Sequence, residues 1–330
     1  MLKTLGVTFW TGSQWYNDQQ VLMESIKHQI NKKFSDKSNL LINMTWFGPQ
    51  FDNNNEYEKF IEYCKTVSVD NLFLLASEDP CFYNKQETQE LINKSKANNS
   101  FLLGHFDTSF NFNFHSTVIG KLFPNYTDGD LMLKNPRYVF LNYNRKPRDH
   151  RIKFVKMLDK RKLSQDGIVT LGNDRNLNES IDEYKEGNWG MPDQFGIPHD
   201  ISSLGRPEYW QNHFLNIISE TDFEDFLWTF ITEKTWKPIL GLRPFVINGQ
   251  LAIYKWLRKN GFRTFNNYWS HINIEQCNID DIHKNICDLI EWLKTQNLKQ
   301  MYIDMLPDLN YNKQRFNEFA VEQKYKMENL

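Results

Sequence analysis

No apolar run in this 330-residue chain approaches the ~20 residues that a membrane-spanning helix requires, so the sequence predicts no span. The four cysteines, Cys64, Cys81, Cys277 and Cys287, form no CxxC pair, and no histidine stands at metal-ligand spacing from them. That argues against a zinc centre and against a disulfide framework, and it favours a reducing compartment. Charge of one sign is also missing: 39 Lys and Arg against 41 Asp and Glu give a formal net charge of -2. A global basic field of the kind that drives non-specific nucleic-acid binding is excluded, although a local basic patch is not. The start of the chain lacks the charged-then-apolar pattern of a secretory leader, because Met1-Leu2-Lys3 leads directly into the strand-like residues 4–10. A cytoplasmic protein is expected. There is no low-complexity tract and no internal repeat at a fixed period beyond two loosely similar α/β halves.

What is abundant is aromatic surface. The 25 Phe, 14 Tyr and 10 Trp make up 15% of the chain, which favours a packed globular protein over disorder despite the polar average. The length suits two domains, each with its own core.

The first half alternates strand-like and helix-like segments. Strands are expected at residues 5–10, 39–47, 71–76 and 100–103, and amphipathic helices at 18–34, 56–66 and 86–96. This βαβαβαβ order predicts a mostly parallel sheet with helices on both faces. Ligands of such sheets lie beyond the carboxyl ends of the strands, where three loops fall: residues 11–16, 77–80 and 104–107. Glu78, Asp79 and Asp107 in these loops are candidate general bases for an acceptor hydroxyl, and each also suits a solvated loop acid or a cap. The aromatic-rich residues 110–115 and 123–130 read either as structural aromatics joining two domains or as an acceptor platform.

A second α/β series begins near Arg137. Residues 138–143 read as a strand, followed by a loop holding Arg145, Lys146, Arg148 and Arg151 with His150 among them, and then by a helix face over 152–158. A basic loop after the first strand of a Rossmann-like domain is where a diphosphate would be held, and a solvated basic turn is the plainer alternative. Residues 167–172 and 214–219 read as further strands, with the polar, Gly/Pro-rich residues 173–207 between them as a long functional loop. A helix over 251–259, a short strand over 262–265, a helix over 279–293 and a charged final helix over 312–327 complete the pattern.

The most informative stretch is residues 230–249. Thr232 is a candidate N-cap, Glu233 and Lys234 fall in the first turn, and Ile239, Leu240 and Leu242 supply a packing face. The apolar residues 244–247 form a buried strand closed by Asn248-Gly249. A helix N-terminus with an adjacent lysine attracts phosphate, and a carboxylate there accepts hydrogen bonds from a ribose diol. The same pattern suits a surface helix that begins with a Glu-Lys pair.

Three segments taken together point to a family. They are Asn142-Tyr143-Asn144-Arg145-Lys146-Pro147-Arg148-Asp149-His150-Arg151, then Leu215-Asn216-Ile217-Ile218-Ser219-Glu220-Thr221, then Phe230-Ile231-Thr232-Glu233-Lys234-Thr235-Trp236-Lys237-Pro238. In this order they resemble the donor-binding half of glycosyltransferases with the GT-B fold. The phrase Ile231-Thr232-Glu233-Lys234, followed by a helix and by Pro244-Phe245-Val246-Ile247, is similar to the signature of the α1,3-fucosyltransferase family. The whole run is also similar to glycosyltransferase-like proteins of large tailed phages. The resemblance covers roughly residues 137 to 270.

It implies an α/β protein of GT-B type, with two Rossmann-like domains facing across a cleft. Residues 1–135 would be an acceptor domain, 136–310 a nucleotide-sugar donor domain, and 311–330 a helix packing back across the boundary. The implied reaction is metal-independent transfer of a sugar from a nucleotide-diphosphate sugar to an acceptor hydroxyl, with no cofactor besides the donor. The acceptor would be a glycan or a hydroxymethylated base in DNA, in the host cytoplasm if the chain is viral. Glu233 would bind the donor ribose, and Lys234 and Arg145, with Lys146 and Arg148 beside them, would neutralise the diphosphate. Phe230 would lie near the nucleobase, Thr232 would cap the helix, and Glu220 would stand at the lip of the cleft. Trp236-Lys237-Pro238 departs from the usual fucosyltransferase continuation, and the first half carries no acceptor-side signature. A non-catalytic nucleotide-binding or scaffold module of the same fold is the alternative, one that binds a nucleotide sugar without turnover.

Overall fold

The computed structural model describes residues 2–6, 24, 26–43, 66, 68–76, 96–104, 110–111, 127–144, 148–171, 204, 207–223 and 229–328. The candidate bases Glu78, Asp79 and Asp107, the loop cations Arg145 and Lys146, and most of the 173–207 loop lie outside them. The chain divides into two compact units, one of residues 1–118 with 320–330, the other of 119–319. Both are mixed α/β structures built on parallel sheets.

The sheet of the first unit contains β1 (Leu2–Gly6), β2 (Asn39–Asn43), β3 (Asn71–Ala76), β4 (Asn99–Gly104) and β5 (Phe110–Asn111), each parallel to its predecessor. β1 begins at Leu2 rather than at residue 5, and the short β5 comes from the aromatic-rich stretch. The strands stand in sequence order, β1-β2-β3-β4-β5, with no reversal along the sheet.

β2, β3 and β4 begin with asparagines in register, Asn39, Asn71 and Asn99. Asn99 Nδ2 donates to Asn71 Oδ1 at 3.1 Å, and Asn71 Nδ2 donates to Asn39 Oδ1 at 2.8 Å. The file ends where Asn39 Nδ2 donates to the carbonyl of Phe34 at 2.8 Å. Beside it Asp70 Oδ2 accepts from both the backbone N–H and the hydroxyl of Ser38, each at 2.8 Å, which holds the Asp70 carboxyl below its ordinary range. These side chains pair strand ends whose apolar continuations, such as Leu40, Leu41, Leu72 and Phe73, are buried.

The second unit carries β6 (Tyr138–Asn142), β7 (Gly167–Val169), β8 (His213–Ser219) and β9 (Phe245–Asn248), all parallel. All seven residues of β8 and all four of β9 are buried, as expected of parallel strands covered on both faces. The spatial order is β7-β6-β8-β9: the chain moves from β6 to one side, then crosses back to lay β8 on the other. That reversal creates a topological switch point between β6 and β8.

Besides the helical residues 26–33 of the first unit, the described helices are α1 (Asp128–Leu131), α2 (Asp149–Lys160), α3 (Pro207–Asn212), α4 (Glu233–Leu240), α5 (Ala252–Lys259), α6 (Ile282–Leu293) and α7 (Leu298–Glu328). Two expectations are corrected. Residues 262–265 form no strand; Phe262 and Phe265 instead bury their rings, with Phe265 edge-on to Phe245 of β9 at 5.3 Å. The final helix begins at Leu298, not near 312, and runs through Pro307.

Two buried side chains fix α4. Trp236 packs its indole among Trp256 of α5, Phe262, and Phe316 and Phe319 of α7, with ring centroids 5.3 to 6.1 Å apart. Beyond the C-terminus of α4, Gly241 abuts Trp210, where a Cβ would lie 2.2 Å from the indole ring. Leu242 then turns left-handed at φ 52, and Arg243 is fully enclosed. The Arg243 guanidinium donates to the carbonyls of His213 (2.9 Å), Leu242 (2.8 Å), Leu131 (2.7 Å) and Trp210, and to the Tyr302 hydroxyl at 3.1 Å. One side chain thus joins α1, α3, β8 and α7. Burial pushes its pKa down to about 10, which leaves it charged at neutral pH.

Candidate functional site

The carboxyl ends of all four strands of the second sheet are polar. Asn142 closes β6, Thr170 follows β7, Ser219 closes β8 and Asn248 closes β9. Asn142 Nδ2 donates to the Ile217 carbonyl at 2.8 Å and to Ser219 Oγ at 3.0 Å, which ties β6 to β8 at the switch point. Asn248 Nδ2 donates to the same hydroxyl at 3.1 Å. Asn144 Nδ2 donates to Asn142 Oδ1 and to the Thr170 carbonyl, and its backbone N–H reaches Thr170 Oγ1 at 2.8 Å. Asn144 Oδ1 and Asn248 Oδ1, both fully buried, have no hydrogen-bond partner among the described residues.

Two helices start at this rim. α2 follows β6, and Arg148 occupies its N-cap position with extended backbone and no side-chain cap. α4 starts at Thr232, whose hydroxyl accepts from the N–H of Lys234, so the expected cap is in place. Both helices direct the positive end of their dipoles toward the rim.

The cations meet at one residue. Arg148 Nη1 donates to the Thr221 carbonyl at 3.0 Å, and Lys234 Nζ lies 3.4 Å from Thr221 Oγ1. The same ammonium donates to Thr232 Oγ1 at 3.1 Å and pairs with Glu233 Oε1 at 3.1 Å. Glu233, in the first turn of α4, is therefore held by the lysine that follows it. A quarter of the Lys234 side chain remains exposed, whereas the Glu233 side chain is 11% exposed.

Behind this pair lies a buried layer. Arg151 Nη2 donates to the carbonyls of Ser219 and Glu220 at 3.1 and 3.0 Å, and His150 Nε2 lies 3.0 Å from the Glu220 carbonyl. Because a carbonyl can only accept, His150 carries its proton on Nε2. Burial, followed by repulsion from Arg151, lowers its pKa to about 3 and keeps it neutral. Burial also lowers Arg151 to about 10, with attraction to Glu220 and Glu233 working in the opposite direction. The His150 ring stacks on Phe223 at 5.2 Å.

The fold thus brings Arg148, Glu220, Thr232, Glu233 and Lys234 together. Glu220 is fully enclosed, braced behind the rim by the Thr232 turn instead of standing at its lip. Phe230 is buried too, with its backbone N–H donating to Gln250 Oε1 at 2.8 Å. Sequence reasoning missed Thr221, Thr235 and the Asn/Ser/Thr rim. The signal for the rim was present: a single polar residue ends each apolar run, at Asn142, Thr170, Ser219 and Asn248.

The described residues therefore define an α/β protein with a cationic rim at the switch point of a parallel sheet. No protein-family model, curated protein or solved structure matches the chain. Among the described residues no group of three or more His, Cys, Asp or Glu is placed to hold a metal ion, and no helix is long and apolar enough to cross a membrane.

Proposed function

We propose that the chain is a glycosyltransferase of GT-B type that moves a sugar from a nucleotide-diphosphate sugar to an acceptor hydroxyl. The observation that carries this reading is the convergence of Arg148 and Lys234 on Thr221, one from the N-cap of α2 and the other from the first turn of α4, beside a switch point. Open sheets of this kind bind nucleotides in that crevice, and helix N-termini with adjacent cations suit a diphosphate. In the reaction the bond between the anomeric carbon and the diphosphate oxygen breaks, and its electron pair leaves with the diphosphate. The acceptor oxygen bonds to the anomeric carbon, and its proton passes to a carboxylate, for which Glu78, Asp79 and Asp107 are the candidates. Arg148 and Lys234, with Arg145 and Lys146 from the preceding loop, would stabilise the charge that develops on the leaving group. Glu233, partly neutralised by Lys234, would receive the ribose hydroxyls. The acceptor is a glycan or a hydroxymethylated base in DNA, and binding to duplex DNA with a steep salt dependence separates the second from the first.

The test is a thermal-shift screen against GDP-, UDP- and CMP-sugars, because a ligand that binds only the folded chain raises its melting temperature by mass action. One nucleotide class is expected to shift the transition, and release of the free nucleotide in the presence of acceptor demonstrates turnover. The absence of a shift with every class rejects the proposal.

A further inference from the structure

Glu220 occupies an unusual position for a carboxylate beside a cationic rim. It is 0% exposed, and each of its oxygens accepts twice. Oε1 accepts from the Thr235 hydroxyl at 2.7 Å and the Thr232 N–H at 3.2 Å; Oε2 accepts from the Thr232 hydroxyl at 2.6 Å and the Thr221 N–H at 3.2 Å. Its backbone carbonyl is engaged as well, by Arg151 and His150 of α2. The one residue therefore ties the first turn of α2 through its main chain to the first turn of α4 through its side chain.

The side-chain arm leads directly to the ammonium of Lys234. The Thr232 hydroxyl gives its proton to Glu220 Oε2, which leaves its lone pairs turned toward Lys234, whose N–H and Nζ it receives at 3.3 and 3.1 Å. Without that acceptor the hydroxyl is free to rotate, and the lysine loses one of the two partners, with Glu233, that hold it beside Thr221. Electrostatics alone would disfavour a carboxylate here, since a negative charge behind an anion site weakens anion binding.

We infer that Glu220 is a positioning residue, which acts through Thr232 and Thr235 to set the shape of the α4 cap and the place from which Lys234 meets a bound diphosphate. The inference rests on the reading of this rim as a diphosphate site. It predicts the opposite sign to simple charge: neutralising Glu220 removes a repulsion, yet binding weakens because the cap is lost. Glutamine at this position replaces one acceptor oxygen by a donor, so two of the four hydrogen bonds cannot form.

The experiment is calorimetric titration of the full chain with inorganic pyrophosphate, alongside melting curves. Glu220→Gln and Thr235→Val are each expected to weaken pyrophosphate binding by about tenfold or more, the scale of a misplaced charge-assisted hydrogen bond. Thr235→Ser, which keeps the hydroxyl, is expected to stay within about twofold of wild type. If Glu220→Gln does not fold, Thr235→Val carries the same comparison at a site of near-equal volume. Wild-type binding with unchanged or tighter binding in the variants, whatever their melting temperatures, overturns the positioning role and leaves the anion site standing. No binding by the wild type overturns the anion site, and the role of Glu220 with it.

Discussion

Arg148 and Lys234, 86 positions apart in sequence, reach the same residue: one donates to the Thr221 carbonyl and the other lies against its hydroxyl. Neither cation is paired with the other's helix, so a dianion entering between them engages both without breaking an ion pair between elements. Alanine at either position is expected to lower affinity for the nucleoside diphosphate that the thermal screen selects by roughly 10- to 100-fold, from the ~1.5–3 kcal/mol of a hydrogen bond to a charged group. The two losses should not add, because both cations serve one ligand. Calorimetry at two ionic strengths checks this, and an unchanged affinity in both variants places the ligand elsewhere.

Three buried histidines, His150, His213 and His283, are held below their ordinary pKa, chiefly by burial, and make stability depend on pH. Burial lowers His150 from 6.5 to about 3, and burial, with repulsion from Lys153, lowers His283 to about 4. Below pH 6.5 the unfolded chain takes up protons that the folded chain refuses, so stability is full above pH 6.5 and is lost as pH falls toward 4 and then 3. Each histidine contributes a slope of at most ~1.4 kcal/mol per pH unit within its window. Urea midpoints at pH 7, 5.5 and 4.5 should therefore converge between wild type and His283→Gln as the pH falls. Parallel curves would show that His283 does not titrate differently on folding.

Trp236 anchors the helix whose first turn forms the cap, and its indole is fully buried among four aromatic rings. Trp236→Ala is expected to cost about 3–5 kcal/mol, the range for removing a large aromatic from a packed core. Chemical denaturation measures it, and a loss below about 1 kcal/mol would mean that α4 is held chiefly by its ends.

Arg243 is enclosed without a carboxylate partner among the described residues, and carbonyl groups take its charge. Arg243→Met fills similar volume but strands those carbonyls, each at about 1–3 kcal/mol. A loss of more than about 3 kcal/mol is expected, and Arg243→Lys should recover only part of it because an ammonium cannot fork among four acceptors. If the methionine variant is as stable as wild type, the carbonyls find other donors.

Much of the second unit was legible in sequence because its strands are continuous apolar runs and its helices carry one apolar face. Thr232 as cap and Phe245–Asn248 as strand fall within a residue of expectation, whereas α2 begins at Asp149, three residues before the apolar face read from sequence, so His150 and Arg151 lie on the helix and not in the basic loop. The short stretch at 262–265 misled because two phenylalanines and a threonine in four residues have strand propensity, whereas here the rings fill space between α4, α7 and β9. Pro307 interrupts the pattern of a helix that continues through it. Glu220 was placed in the right neighbourhood with the wrong surroundings: a carboxylate after a strand gives no sign, in sequence, that two threonines 12 and 15 residues later will close over it. Spatial order is also invisible to local pattern, and the two halves, alike in their βα alternation, build sheets of different order.

The asparagine file across β2, β3 and β4 works as a vernier for the first sheet. Asn71, in the middle, gives to Asn39 and receives from Asn99, so the marks coincide in one alignment alone. A slip of one residue in β3 would place Leu72 opposite Asn39 and Asn99, disconnecting both intervals at once and turning Phe73 to the opposite face. Parallel strands drawn from segments about thirty residues apart have no tight turn to index them, and here three side-chain amides supply that index.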